Sequence, residues 1–382
     1  MVSDTDVMSS IVERVQSAAA TGTPLRLRGG GSKDFYGQAL TGEILDMSPY
    51  AGVISYEPSE LVVTARAGTR LAELEALLAS QGQCLPFEPP HFQLHGATGQ
   101  ATVGGMVAAG LSGPARASVG GVRDYMLGAQ LLNGRAELLT FGGQVMKNVA
   151  GYDVSRLMVG AMGTLGVITE VSLKVLPVAP AEATLVFELA QSQALAQLHR
   201  WGGQPLPLNA SCWVCDDSDG RPRERLFVRL RGAVAAVDSA CARMLAQAGG
   251  TRLANAQAAA DWQACRDLAL PFFARLAPGC VLWRLSVAQT TPVLDLPWPQ
   301  LVEWHGGLRW LWAPLDAAAS LRDVATKAGG HATIFVAGDA VSAGATGVFS
   351  PLKPPLDLIH RRLKAEFDPA GIFNPGRLSA DW

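Results

Sequence analysis

Three glycine clusters carry most of the chemistry this sequence can offer. The first is Arg28-Gly29-Gly30-Gly31-Ser32-Lys33, directly after a short apolar run. Consecutive glycines can turn successive N–H groups into one concavity that holds an anion such as a pyrophosphate. The same triplet serves equally well as a plain tight turn. It is not a Walker A loop, and Asp34 stands where a GxGxxG pattern needs its last glycine. The second cluster, Ala101-Thr102-Val103-Gly104-Gly105, opens an apolar helix that runs towards Gly110. A phosphate can sit on such a helix start, or the glycines can simply permit close packing. The third cluster is Gly160, Gly163 and Gly166, followed by the alternating run Val167 to Val175. Glycines so placed let backbone approach something closely. Three clusters in one chain favour an extended ligand with a phosphate group, but the residues alone do not name it.

The other reactive side chains are sparse. Cys212-Trp213-Val214-Cys215 is a CxxC, but its flanks from Leu208 onward read as a strand rather than a helix N-terminus. No second CxxC accompanies it, so the expectation is buried apolar thiols, with no cluster ligands and no disulfide framework. His91 and His95 lie four apart in a proline-rich loop, a poor frame for a metal, and no metal site is expected. His199, His305, His331 and His360 are scattered.

The frame for these residues is a chain of 382 residues with a formal net charge of −2. That length predicts two domains, or three, with real cores. No basic stripe points to nucleic acid. No run of about 18 apolar residues is present, so no transmembrane helix is expected. Met1 to Gln16 carries early acids and no apolar h-region, unlike a secretory signal. A soluble, cytoplasmic protein is the expectation.

Periodicity predicts helices at 9–20, capped by Ser9 or Ser10, and at 71–80, closed by Gly82. Strands are expected at 24–28, 53–56 and 61–65. Residues 84–124 read as loop-rich. Asn133-Gly134 predicts a hairpin between strands 126–132 and 137–141. A helix is expected at 153–159. From 180 to about 345 strands alternate with helices, an α+β pattern on an antiparallel sheet. A helix at 356–367 precedes Asp368-Pro-Ala-Gly-Ile-Phe-Asn-Pro-Gly376.

Taken together, these segments resemble the flavin-binding vanillyl-alcohol oxidase and p-cresol methylhydroxylase family. The matching pieces are Arg28 to Lys33, Pro90 with Ala101 to Gly105, Gly121-Val-Arg-Asp124, Leu127 to Gly134, Gly160 to Thr169, and the ending Phe367 to Gly376. Val149 to Gly160 and Gly329-Gly-His-Ala-Thr333 are similar to the E-subunit family of bacterial glycolate oxidase, the smaller of two flavin-type subunits. The resemblance implies an α+β fold. A two-part FAD-binding domain (1–178, rejoined by 351–382) would carry an α+β cap domain (179–350) built on an antiparallel sheet.

It also implies residue roles. Arg28, Gly29, Gly30, Gly31 and Ser32 would hold the FAD pyrophosphate. Thr102, Gly104 and Gly105 would line the cofactor. Gly163, Thr164, Gly166 and Ile168 would approach its adenine or flavin side, and Asn374 would lie near the isoalloxazine. Covalent-flavin members often carry histidine beside the triplet, whereas Ser32 and Lys33 stand here, so noncovalent FAD is expected. His331 is the candidate catalytic base, and Trp298, Trp304, Trp310 and Trp312 read as cap core and interface.

The implied function is oxidation of glycolate, a 2-hydroxy acid, to glyoxylate within a complex. A larger FAD-binding subunit and an iron–sulfur subunit would be its partners, with peripheral attachment to the inner membrane through them. Two alternatives stay open: a self-sufficient FAD-dependent hydroxy-acid or alcohol oxidoreductase, and a non-catalytic flavin-fold scaffold subunit.

Overall fold

The computed structural model describes residues 4–38, 41–92, 100–143, 153–216, 220–274, 279–336 and 347–379. His95 and residues 147–152 of the glycine-rich region lie outside them. The chain forms two compact units: 1–111, 121–177 and 347–382 make the first, and 112–120 with 178–346 make the second.

The first unit begins with the helix Asp4–Thr21, longer at its start than serine capping predicts. Asp4 and Asp6 occupy its first turn, where negative charge meets the helix dipole favourably. Ile11, Val15 and Ala18 bury one face against Leu25, Leu45, Ile372 and Phe373. Leu25–Arg28 pairs in parallel with Glu43–Asp46. The C-terminal segment joins the other side: Leu25 N–H donates to Ile372 O (2.7 Å) and Asn374 N–H to Leu25 O (2.9 Å).

Beside this pair stands a five-stranded antiparallel sheet in the order Val53–Glu57, Val62–Arg66, Val167–Lys174, Met126–Leu132, Leu138–Gly142. The helix Leu71–Ser80 lies where its spacing predicts, with Leu71, Leu74 and Leu78 as the buried stripe. The helix Val103–Ala109 completes this core.

Three local expectations change. The 84–124 stretch contains three short helices: Val103–Ala109, Arg116–Val119 and Val122–Tyr125. The helix expected at 153–159 is one 3-10 turn, Ser155–Leu157, cut short as the chain enters Gly160 at φ 81°. The Asn-Gly hairpin is wider than two residues, because Asn133 Oδ1 accepts from both Arg135 and Glu137 N–H (2.9 Å each). Gly134 N–H is used instead on Phe367 O (2.8 Å), at the end of the helix Leu356–Phe367.

The second unit is built on one eight-stranded antiparallel sheet. Its order is Thr251–Arg252, Ala181–Glu188, Arg223–Gly232, Leu208–Asp216, Gln300–Glu303, Leu308–Pro314, Cys280–Ser286, His331–Val336. Gln191–Gly202 and Val234–Ala248 pack on it through Leu198, Trp201, Val237 and Met244. Asn255–Arg266 lies against it with Trp262 Nε1 donating to Thr184 Oγ1 (2.9 Å). The turn into Leu308–Pro314 holds three successive positive φ values: Trp304 (54°), His305 (55°) and Gly306 (103°). Non-glycine residues pay for that conformation. Buried Arg309 anchors it by donating to Gly306 O and Thr291 O, both at 3.0 Å.

Candidate functional site: a glycine-lined cleft and a cationic cluster

In the first unit the glycine triplet leaves the end of Leu25–Arg28 and curls under the loop at Gln100. Among the described residues, the N–H groups of Gly29, Gly30, Gly31 and Ser32 donate to no protein acceptor. Four successive unspent donors are what a backbone anion-binding nest requires. A side chain at Gly30 is excluded, because its Cβ would run into the Gln100 carbonyl. The loop is fixed from behind. Asp34 Oδ2 accepts from Arg26 Nη2 (2.6 Å) and Arg28 Nε (2.9 Å). Buried Arg377 donates to Lys33 O (3.3 Å), Asp34 O (3.2 Å) and Gln38 O.

Arg28, Gly29, Thr102, Gly104, Gly105, Gly163, Gly166, Ile168 and Asn374 line one cavity of about 80 Å³. Gly30, Gly31, Ser32 and Thr164 are not on that lining: Ser32 is buried beside Lys33, and Thr164 Oγ1 donates to Ala161 O (2.7 Å). The second cluster behaves differently from a free helix start. Val103 N–H donates to Thr69 O (2.9 Å), Gly104 N–H to Ala67 O (2.8 Å), and Gly105 N–H to Thr102 Oγ1 (3.3 Å). Those donors are spent inside the fold, so this helix start offers a phosphate nothing.

Asn374 uses both ends of its amide structurally. Its Oδ1 accepts from Leu27 N–H (2.8 Å) and its Nδ2 donates to Met162 O (2.6 Å). Gly163, at φ 71°, lies so close that a Cβ there would meet Asn374 Nδ2 at 2.7 Å. Behind it sits Lys364, only 6% exposed. Its ammonium donates to Thr164 O (2.8 Å), Phe373 O (2.8 Å) and Asp368 Oδ2 (2.6 Å). Burial pulls the Lys364 pKa down and Asp368 opposes that shift. Sequence reasoning missed Lys364; its one local signal is the i,i+4 spacing to Asp368.

The second unit holds His331 at the start of its edge strand, opposite Ser286. His331 is exposed, yet neighbouring protein lowers its pKa, and Arg284 and Arg116 lower it further. Both guanidiniums stack on Trp304, at 4.6 Å (Arg116) and 5.1 Å (Arg284) from the ring centre. Trp304 Nε1 donates to Gly113 O (3.0 Å). Beside it, His305 Nε2 meets Ser118 Oγ (2.9 Å) and Nδ1 meets Ser211 Oγ (3.1 Å). Burial lowers the His305 pKa to about 4. Trp310 and Trp312 are buried in the sheet. Neither arginine stands out in the sequence.

The remaining candidates are placed as follows. His91 Nε2 meets Glu75 Oε2 at 2.8 Å. Among the described residues no group of three or more His, Cys, Asp or Glu is placed to hold a metal. Cys212 is buried and Cys215 exposed, so the expectation that both are buried thiols holds for Cys212 alone. Strand alternation sends residues three apart to opposite faces. No helix among the described residues is long and apolar enough to cross a membrane.

Residues 7–142 match the family description of an FAD binding domain. The fold is shared with a solved alkyldihydroxyacetonephosphate synthase, with a TM-score of 0.65 and 17% identity over 96% of this chain and 75% of that one. Fold and cleft thus define an FAD-binding protein of the vanillyl-alcohol oxidase type carrying an antiparallel cap. The chain is 43% identical over 381 residues, all of both chains, to glycolate oxidase subunit GlcE of Escherichia coli K12. Glycolate oxidase subunit GlcD of Bacillus subtilis 168 is 28% identical over 46% of this chain and 36% of its own. The chain belongs to the glycolate oxidase E-subunit family.

Proposed function

We propose that this chain is the smaller FAD-binding subunit of an assembly that oxidises glycolate to glyoxylate. Its FAD is noncovalent. Its partners are a larger FAD-binding subunit and an iron–sulfur subunit, which take the electrons onward. The observation that carries the reading is the run of unspent N–H groups at Gly29 to Ser32, in a unit whose glycine cleft is closed by Asn374. When bound, FAD supplies the hydride acceptor; the protein supplies position and electrostatics.

Arg116 and Arg284 on Trp304, with His331 within the field of both, support a carboxylate substrate. Guanidinium groups pair with carboxylates through a planar fork, and stacking on the indole limits their motion. Burial by neighbouring protein, with Arg284 and Arg116, lowers the His331 pKa and so favours the neutral form that a general base needs. The test is flavin reduction by glycolate, followed by absorbance in the purified chain and in the chain co-expressed with its partners. Flavin of the assembly bleaches on addition of glycolate, and Arg284→Met raises KM at least tenfold. No bleaching in an assembly that retains flavin on this chain sinks the catalytic part of the reading. It favours a subunit that holds flavin for structural reasons.

A further inference from the structure

The second unit contains a cavity of about 400 Å³ that takes no part in the cluster described above. It opens between the sheet and the helix Asn255–Arg266. Ala258, Trp262 and Cys265 recur at helical spacing and face it, while Cys212, Phe227 and Leu301 face it from the strands. Phe272 completes an aromatic wall with Phe227 and Trp262. The volume falls in the range of small-molecule sites.

Its charge is distinctive. At the inner end the Cys265 thiol donates to Glu303 Oε2 at 3.4 Å. The neighbouring Cys212 and burial raise its pKa, so the thiol stays neutral. Arg225 is the cation on the lining and is paired with Asp216 at 2.6 Å. Asp261 adds a second carboxylate, which accepts from Gln257 Nε2 at 3.0 Å. One cation against two anions gives the lining a net charge of −1 and repels an anionic ligand. A two-carbon hydroxy acid is also too small to cover the three aromatic side chains of that wall.

We propose that this cavity is a binding site for a neutral or singly cationic aromatic molecule of about two fused rings, chemically distinct from a hydroxy-acid substrate. Aromatic walls reward a flat ring by area burial and stacking. The Cys265 thiol at the inner end, its pKa raised, places no demand for a counter-ion.

The experiment uses the full chain with its flavin and two fluorescent probes that share the same rings. N-phenyl-1-naphthylamine is neutral, and 1-anilinonaphthalene-8-sulfonate carries a sulfonate. The neutral probe binds saturably at one site per chain, at least tenfold more tightly than the sulfonate. Val214→Trp fills the cavity from a half-buried strand position. It weakens the neutral probe at least tenfold while circular dichroism and flavin content stay unchanged. Asp261→Lys reverses the lining charge and narrows the preference between probes at least threefold. Equal binding of the two probes overturns the proposal. So does a folded Val214→Trp protein that binds the neutral probe as before, or an unchanged preference in Asp261→Lys.

Discussion

Gly30 is the residue on which the proposed mode of FAD binding turns, because its missing Cβ is the space that the Gln100 carbonyl fills. Gly30→Val therefore removes the flavin: the purified variant is expected to be colourless, with at least a hundredfold loss of FAD affinity in a fluorescence titration. Full flavin content in that variant would refute the concavity. His305 gives a second residue-scale prediction. Its folded pKa of about 4 lies below the unfolded value of 6.5. A depressed pKa contributes stability that is fully present above the unfolded value and is lost as pH falls through the folded one. Stability should thus drop between pH 6.5 and about 4, by of order 2 kcal/mol after allowance for partial exposure. Urea denaturation across that range checks it, and His305→Gln should flatten the slope.

At the scale of elements, the C-terminal helix and tail act as the back wall of the cleft. Lys364 ties the carbonyl of Thr164 to that of Phe373. Asp368 holds Lys364 and also accepts from Ile372 and Phe373 N–H. Breaking a buried pair from one side leaves an uncompensated charge and costs about 3–5 kcal/mol. Lys364→Met should destabilise the protein by that amount in urea denaturation and weaken FAD retention. Adding Asp368→Asn should return part of the stability, since the orphan charge is gone. If the double variant is no more stable than the single one, the pair is not what Lys364 contributes.

At the scale of the whole molecule, a protein whose FAD is held by backbone N–H groups should release it when denatured. Acid precipitation is expected to leave all flavin in the supernatant; flavin on the pellet would show a covalent link. Affinity purification of the tagged chain from co-expressing cells should bring down a larger flavoprotein and an iron–sulfur protein. A chain recovered alone at high yield would count against the assembly.

Sequence by itself determined the elements whose pattern is local. Leu71–Ser80 and Leu356–Phe367 lie where apolar spacing and flanking turn residues put them, because a helix is written every three to four residues. The glycine triplet was legible for the same reason: a run of residues without Cβ has few uses. Tertiary structure decided which donors remain free. Gly104 and Gly105 look as apt for phosphate as Gly29 to Ser32, yet carbonyls from Ala67 and the side chain of Thr102 consume their N–H groups. It also decided which charges matter. Lys364 reads as an ordinary helix-surface lysine until the fold buries it. Arg116 and Arg284 meet on Trp304 only after the sheet and the 112–120 segment bring them together. Side chains that converge from distant parts of a chain leave no periodic trace in it.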